Sequence, residues 1–181
     1  MPWSIDEGKQ QIKEVLNDLI RSPETRVLDL GCGRGTYARL IEKPCYKIGV
    51  DAVDYYREYA LMMVYDKFLL HDIRDTDWLK TCVKAEICVC GDVLEHLSIK
   101  DARAVLDTLE SFSEAVIVAL PFEWKQNDWN GYEGHIQDDL TPAVVAERYP
   151  ELEPLFIFNS EEAPWKGRAY YGYYIWRKNN V

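Results

Sequence analysis

Val27-Leu28-Asp29-Leu30-Gly31-Cys32-Gly33-Arg34-Gly35-Thr36-Tyr37-Ala38-Arg39-Leu40 is the stretch whose reading decides the fold. Its first four residues read as a buried strand, and its three alternating glycines read as a tight turn facing a ligand. Thr36 onward reads as a helix start, giving a helix of about two turns over residues 36–43 that Pro44 ends. A strand that passes through glycines into a helix leaves free backbone N–H groups and little side-chain bulk, which suits a nucleotide-like ligand.

Strand and helix patterns alternate on both sides of this stretch. Ile5, Ile12, Leu16, Leu19 and Ile20 recur at helical spacing, with Ser4 and Glu7 placed as a capping box. This N-terminal helix, within residues 1–22, is expected over the ligand site or at the sheet edge. Residues 47–50 read as a second strand ending at Asp51, and that acid stands 16 positions beyond Gly35. A carboxylate there can accept both hydroxyls of a ribose diol. Residues 54–64 suit a helix, and 67–71 a third strand running into Asp72 and Ile73. Residues 85–90 form a fourth short apolar run, followed by Gly91-Asp92-Val93-Leu94-Glu95-His96. Ser98 and Asp101 then open a helix with the stripe Ala102, Val105, Leu106, Leu109 and Phe112. A fifth strand, 115–120, is closed by Pro121.

Residues 122–140 are the longest irregular stretch, rich in Trp, Tyr, Gly, Asn and Asp, and they read as a functional loop that covers the site. Thr141-Pro142 caps a helix to about Tyr149, and 153–159 and 169–177 are the last strands, with Gly172 marking a bulge or a close backbone approach. The order implies one α/β domain over residues 1–181: a Rossmann-like, doubly wound, mostly parallel sheet with helices on both faces and an antiparallel ending. In such a sheet the ligand sits outside the C-terminal strand ends. Asp29 to Gly35, Asp51, Asp72 and Gly91 to His96 all fall at those ends.

Composition narrows the partners. With 21 basic and 31 acidic residues the net charge is −10, which repels phosphate backbones and argues against a nucleic-acid partner. No apolar run approaches the roughly 20 residues that cross a bilayer. The first residues lack the pattern of a secretory leader, so a cytoplasmic location is expected. Five cysteines read as reduced thiols, and Cys88-Val89-Cys90 with His96 lacks the second well-spaced pair of a zinc site.

The ordered set VLDLGCGRGTYA, GVDAVD, HDIRD and CVCGDVLEHLS, followed by a Pro121-led loop with Gly134-His135 and then LTPAVV, resembles the class I S-adenosylmethionine-dependent methyltransferases, small-molecule members in particular. The resemblance covers nearly the whole chain, and GxGxG separates it from the GxGxxG of dehydrogenases. It implies a seven-stranded sheet whose last strand inserts antiparallel. It implies S-adenosylmethionine as cofactor, S-adenosylhomocysteine as product, and a small-molecule methyl acceptor. Gly31, Cys32, Gly33 and Gly35 would approach the methionine portion, and Asp29 would support the turn or the cofactor's amine. Asp51 with Ala52 would hold the ribose, Asp72 and Ile73 the adenine, and Gly91 and Asp92 would lie beside the methionine portion. Asp92 sits one place beyond the glycine, a departure that weakens its assignment.

A sulfonium methyl is already activated, so alignment is the protein's main task, and a base is needed only where the acceptor must lose a proton. Candidates for that base are His135, His96, Glu95 and Asp92. Glu95, His96 and His135 could together reach a divalent ion, but nothing in their spacing compels one, and no metal is expected. Trp3, Tyr37, Trp124, Trp129 and Tyr132 could box an acceptor or the cation. A nicotinamide-dependent oxidoreductase and a catalytically silent cofactor-binding or partner-activating protein are the rival readings.

Overall fold

Strands buried on both faces need apolar residues at consecutive positions, and this chain supplies them. In the strand Ala115–Pro121 (β5), Val116, Val118 and Leu120 join one apolar cluster, and Ala115, Ile117 and Ala119 join the other. The computed structural model describes residues 8–58, 64–128, 131–159, 161 and 167–178. Within them β1 (Arg26–Leu30), β2 (Tyr46–Asp51), β3 (Lys67–Leu70), β4 (Ile87–Gly91), β5, β6 (Glu153–Asn159) and β7 (Ala169–Arg177) form one sheet in the order β3-β2-β1-β4-β5-β7-β6. β1 to β5 pair in parallel, and β7 runs antiparallel to both its neighbours. This is the expected doubly wound sheet with one inserted antiparallel strand.

The first cluster holds Leu28, Val50, Cys88 and Val116 against Leu79 of α2 (Thr76–Cys82), Val105 and Leu109 of α3 (Ile99–Phe112), and Val145 of α4 (Pro142–Arg148). The second holds Val27, Ile87, Ile117 and Tyr173 against Ile12 and Leu16 of α1 (Lys9–Leu19). α1 therefore covers the face of the central strands. It begins after Gly8, whose φ of 81° makes it a left-handed entry without a side-chain cap. Ser4, Glu7 and Ile5, named for the capping box and first turn, lie outside the described residues, as do Trp3 and Trp129. The caps of α3 and α4 form as expected. Ser98 Oγ accepts the Asp101 N–H at 3.1 Å, and Thr141 Oγ1 accepts that of Val144 at 3.2 Å.

One expected helix is absent. Residues 31–37 stay in tight turns, and only Ala38–Leu40 makes a single 3₁₀ turn where 36–43 suggested two helical turns. The reason is Asn17 of α1. Its Nδ2 donates to the Leu40 carbonyl at 3.0 Å, and its Oδ1 accepts the N–H groups of Glu42 and Lys43 at 2.9 and 3.0 Å. These bonds occupy the groups a helix would need for itself, and Pro44 offers no N–H to extend one. The expected helix over 54–64 starts as a 3₁₀ turn, Asp54–Tyr56, and residues 59–63 lie outside the described set.

Gly172 marks a close approach, since a Cβ there would stand 2.6 Å from the Phe122 ring. Cys32, Cys88 and Cys90 are free and buried, and Cys45 is free and half-buried. No helix among the described residues is long and apolar enough to cross a membrane.

Candidate functional site

The C-terminal ends of β1, β2 and β4, with the turn after β3, open into one cavity of about 580 Å³. Gly31, Cys32 and Gly33 line it from the β1 turn, Asp51 and Ala52 from β2, Asp72 and Ile73 after β3, and Gly91 and Asp92 from β4. Gly35 and Asp29 do not line it. Gly33 has φ +48°, and a Cβ there would meet no other atom closer than 4.0 Å, so conformation rather than packing demands the glycine. Gly91 differs. A Cβ would fall 1.8 Å from Tyr37 Cε2, because the Tyr37 ring lies flat against this glycine.

Asp51 ties the β1 turn to the end of β2. Its Oδ2 accepts the Gly33 N–H and its Oδ1 accepts the Val53 N–H, both at 2.8 Å. Burial raises its pKa despite those two bonds. Two oxygens offer about four lone-pair positions, so acceptor capacity remains for a diol. Asp29 is buried behind the turn, 3% exposed, and accepts the Tyr65 hydroxyl at 2.5 Å. Burial pushes its pKa up to about 7, against the opposing effect of that hydroxyl. Asp29 therefore stands off the cavity wall, held by Tyr65.

Asp72 is paired with Arg74, whose Nε lies 3.0 Å from both its oxygens. The pairing lowers the Asp72 pKa. Arg74 in turn lies 5.5 Å from the Tyr132 ring centroid, and both line the cavity. The sequence reading did not single out Arg74, although its place two residues after a strand-end acid was visible. Beyond Gly91, Asp92 adopts φ 58° and accepts hydroxyls from Tyr171 at 2.5 Å and Tyr37 at 3.2 Å. The two phenol oxygens are themselves 3.0 Å apart. Lys9 Nζ stands 4.0 Å from the centre of the Tyr37 ring, so α1 reaches the site with its first residue. Tyr171 went unrecognised because nothing in AYYGYYIWR marks which tyrosine reaches Asp92.

The loop between β5 and α4 contributes Gly131, Tyr132 and Glu133 to the cavity, and Tyr56 donates to Glu133 at 2.6 Å across it. The base of the loop is bolted down. Gln137, 3% exposed, donates from Nε2 to the carbonyls of Leu94 and Leu97 at 2.9 and 3.1 Å. Its Oε1 accepts the Tyr149 hydroxyl at 3.0 Å. A buried glutamine with every group satisfied is an anchor, and no sequence signal reveals it.

Of the four base candidates, Asp92 and His96 line the cavity and Glu95 and His135 do not. The two imidazoles meet edge to face, 4.7 Å between centroids, and burial lowers the pKa of each. Glu95 lies below them, 1% exposed, and burial together with Asp92 drives its pKa far up. Glu95, His96 and His135 are thus brought together, each facing the others.

No family model and no curated protein matches this sequence. Solved structures do match the fold. The N-terminal domain of EvdMO1, crystallised in the presence of SAH and D-fucose, superposes with a TM-score of 0.69 at 12% identity, covering 97% of this chain and 85% of that one. An S-adenosylmethionine-dependent methyltransferase from Clostridium acetobutylicum ATCC 824 gives 0.64 at 11% identity, covering 97% and 93%. The small RNA methyltransferase HEN1 gives 0.67 at 17%, covering all of this chain and 27% of that one. The chain therefore has the class I methyltransferase fold.

Proposed function

We propose that this chain is an S-adenosylmethionine-dependent methyltransferase acting as a single cytoplasmic domain on a small-molecule O, N or C centre. The observation that carries the reading is the meeting of four strand ends at one cavity, with Asp51 bound to the glycine turn. The residues fit the donor. Gly33 leaves the turn open, Asp51 retains acceptor capacity for a ribose, Ile73 offers an apolar face for a base, and Gly91 brings backbone to the cavity. When bound, the cofactor supplies an activated methyl on a sulfonium.

The chain's own residues then bind, orient and exclude water. Tyr37 and Tyr171 fix the Asp92 carboxylate at the cavity wall, so that a polar acceptor group meets a preset acceptor. The Tyr56–Glu133 bond and the Arg74–Tyr132 contact draw the loop tip across the opening, which limits water. The wall carries Asp51, Asp72, Asp92 and Glu133 against Arg34 and Arg74. That excess of acid favours an uncharged or cationic small acceptor over a polyanion.

A methyl-transfer screen over small amines, phenols, acids and nucleosides, reading out S-adenosylhomocysteine, tests the activity. Turnover with at least one class is expected. Silence across all of them, with the donor bound, would favour a cofactor-binding protein without catalysis.

A further inference from the structure

The cluster of Glu95, His96 and His135 is not explained by donor binding. His96 Nδ1 lies 3.2 Å from the Gly134 carbonyl, and His135 Nδ1 lies 2.8 Å from the Trp124 carbonyl. A carbonyl cannot donate, so each Nδ1 carries the hydrogen and each Nε2 of the neutral ring presents a lone pair. Both Nε2 atoms face the same carboxylate oxygen, Glu95 Oε1, at 3.9 and 4.0 Å. Neither Glu95 oxygen has a hydrogen-bond partner, and its side chain is 1% exposed. Three groups with lone pairs therefore converge in a buried space with no donor between them, an arrangement that a positive charge at its centre would satisfy. A single proton on Glu95 does not meet the need, because 3.9 Å is beyond hydrogen-bond reach.

The spacing suits an ion. Two donors each about 2.1 Å from one metal stand about 3.4 Å apart in a tetrahedral shell, so binding an ion requires the two histidine nitrogens to close by about half an ångström on Glu95 from 3.9 and 4.0 Å. All three ligand atoms lie within 4.8 Å of one another. The carbonyls behind the two Nδ1 atoms are the outer partners that fix a ligating histidine's tautomer and direction. Backbone bonds hold the two halves of the cluster together: the N–H groups of Ile136 and Gln137 both donate to the Glu95 carbonyl, at 2.8 and 3.0 Å.

We infer that Glu95, His96 and His135 form a binding site for one divalent first-row transition-metal ion, beside the donor cavity that His96 lines. Two imidazole nitrogens and one carboxylate oxygen suit Zn²⁺, Co²⁺ or Mn²⁺ better than Mg²⁺ or Ca²⁺, which favour all-oxygen shells. In the sequence the same three residues are only a possible ion set whose spacing compels no metal, because 38 residues separate His96 from Gly134, whose carbonyl fixes its ring. If the methyltransferase reading holds, the site also names an acceptor chemistry, an oxygen that takes an open position on the ion. The ion would favour loss of the hydroxyl proton to solvent. The oxygen would then bond to the methyl carbon as the carbon–sulfur bond breaks and sulfur keeps the electron pair.

The test is titration of chelator-treated full-length protein with Co²⁺, followed by visible absorption, and then displacement by Zn²⁺. One equivalent of Co²⁺ is expected, displaced by Zn²⁺ and not by Mg²⁺. Glu95→Gln and His135→Ala should each weaken Co²⁺ binding by more than the roughly 100-fold that loss of an outer partner can cost, with thermal unfolding reporting whether each variant is folded. Should either fail to fold, the wild-type stoichiometry and His96→Gln still decide. Absence of a one-to-one Co²⁺ complex in the wild type, or unchanged affinity in folded variants, overturns the site. S-adenosylmethionine binding, measured separately by calorimetry, keeps the two readings apart: metal binding without donor binding would sink the methyltransferase reading and leave this one standing.

Discussion

At the residue scale, the two cavity glycines of β1 and β4 have different reasons to be glycine, and substitution separates them. Gly91→Ala places a methyl into the Tyr37 ring. It should cost about 1–3 kcal/mol in urea unfolding and should disturb the Tyr37–Asp92 bond. Gly33→Ala meets nothing closer than the Gly31 carbonyl oxygen at 4.0 Å and should act through its left-handed backbone alone. Asp29 makes a pH prediction. Its folded pKa, about 7, lies above the ordinary 3.8. Between those values the folded state holds a proton that the unfolded chain has released, so its contribution to stability is full below about pH 4 and falls as pH rises to about 7. Asp29→Asn removes that slope. Urea titrations at pH 4.5 and 7.5 should show the variant gaining on the wild type at the higher pH, and a constant difference would contradict the assignment. The glycines and strand-end acids were legible because backbone conformation and strand ends leave local marks. The Tyr37–Asp92–Tyr171 network was not, because 79 positions separate Asp92 from Tyr171 and only the insertion of β7 joins them.

At the scale of elements, caps and alternation were readable, and a helix contested by a distant side chain was not. Ser98→Ala should cost about 1 kcal/mol through the lost cap of α3, measured by thermal or urea unfolding. The segment 36–43 carries a fair helical pattern, yet Asn17 competes for its backbone from another helix, a contact that no local window contains. The loop from 122 to 140 was recognisable by its length and aromatics, but its anchor was not. Gln137→Ala removes the side-chain bonds to the Leu94 and Leu97 carbonyls and to the Tyr149 hydroxyl, and leaves the Leu94 carbonyl only its bond from the Leu97 N–H. Limited proteolysis should then cut within 122–140 faster than in the wild type while the sheet stays folded. Equal rates would mean that the loop is held elsewhere. Saturating donor and acceptor should slow those cuts in the wild type.

At the scale of the whole molecule, the doubly wound order follows from consecutive apolar strands alternating with amphipathic helices, and it forces the strand ends to one rim. That rim is why a one-dimensional reading reached the cavity at all: each acid or glycine at the end of a parallel strand shares one address in space. Asp29 and Gly35 show the limit of the rule, since they stand in the same motif and lie behind the wall. The loop and β7 side chains that reach the cavity, Tyr132, Glu133 and Tyr171 among them, carry no such positional code.

Donor recognition at this cavity is the property on which the proposed methyl transfer depends. Calorimetric titration of the wild type and Asp51→Ala with S-adenosylmethionine, S-adenosylhomocysteine and NAD measures it. Both sulfur ligands should bind one-to-one, with affinity reduced about 10- to 100-fold in Asp51→Ala through loss of charged hydrogen bonds, and NAD should not bind. Preference for NAD, or no binding of either sulfur ligand, would contradict it.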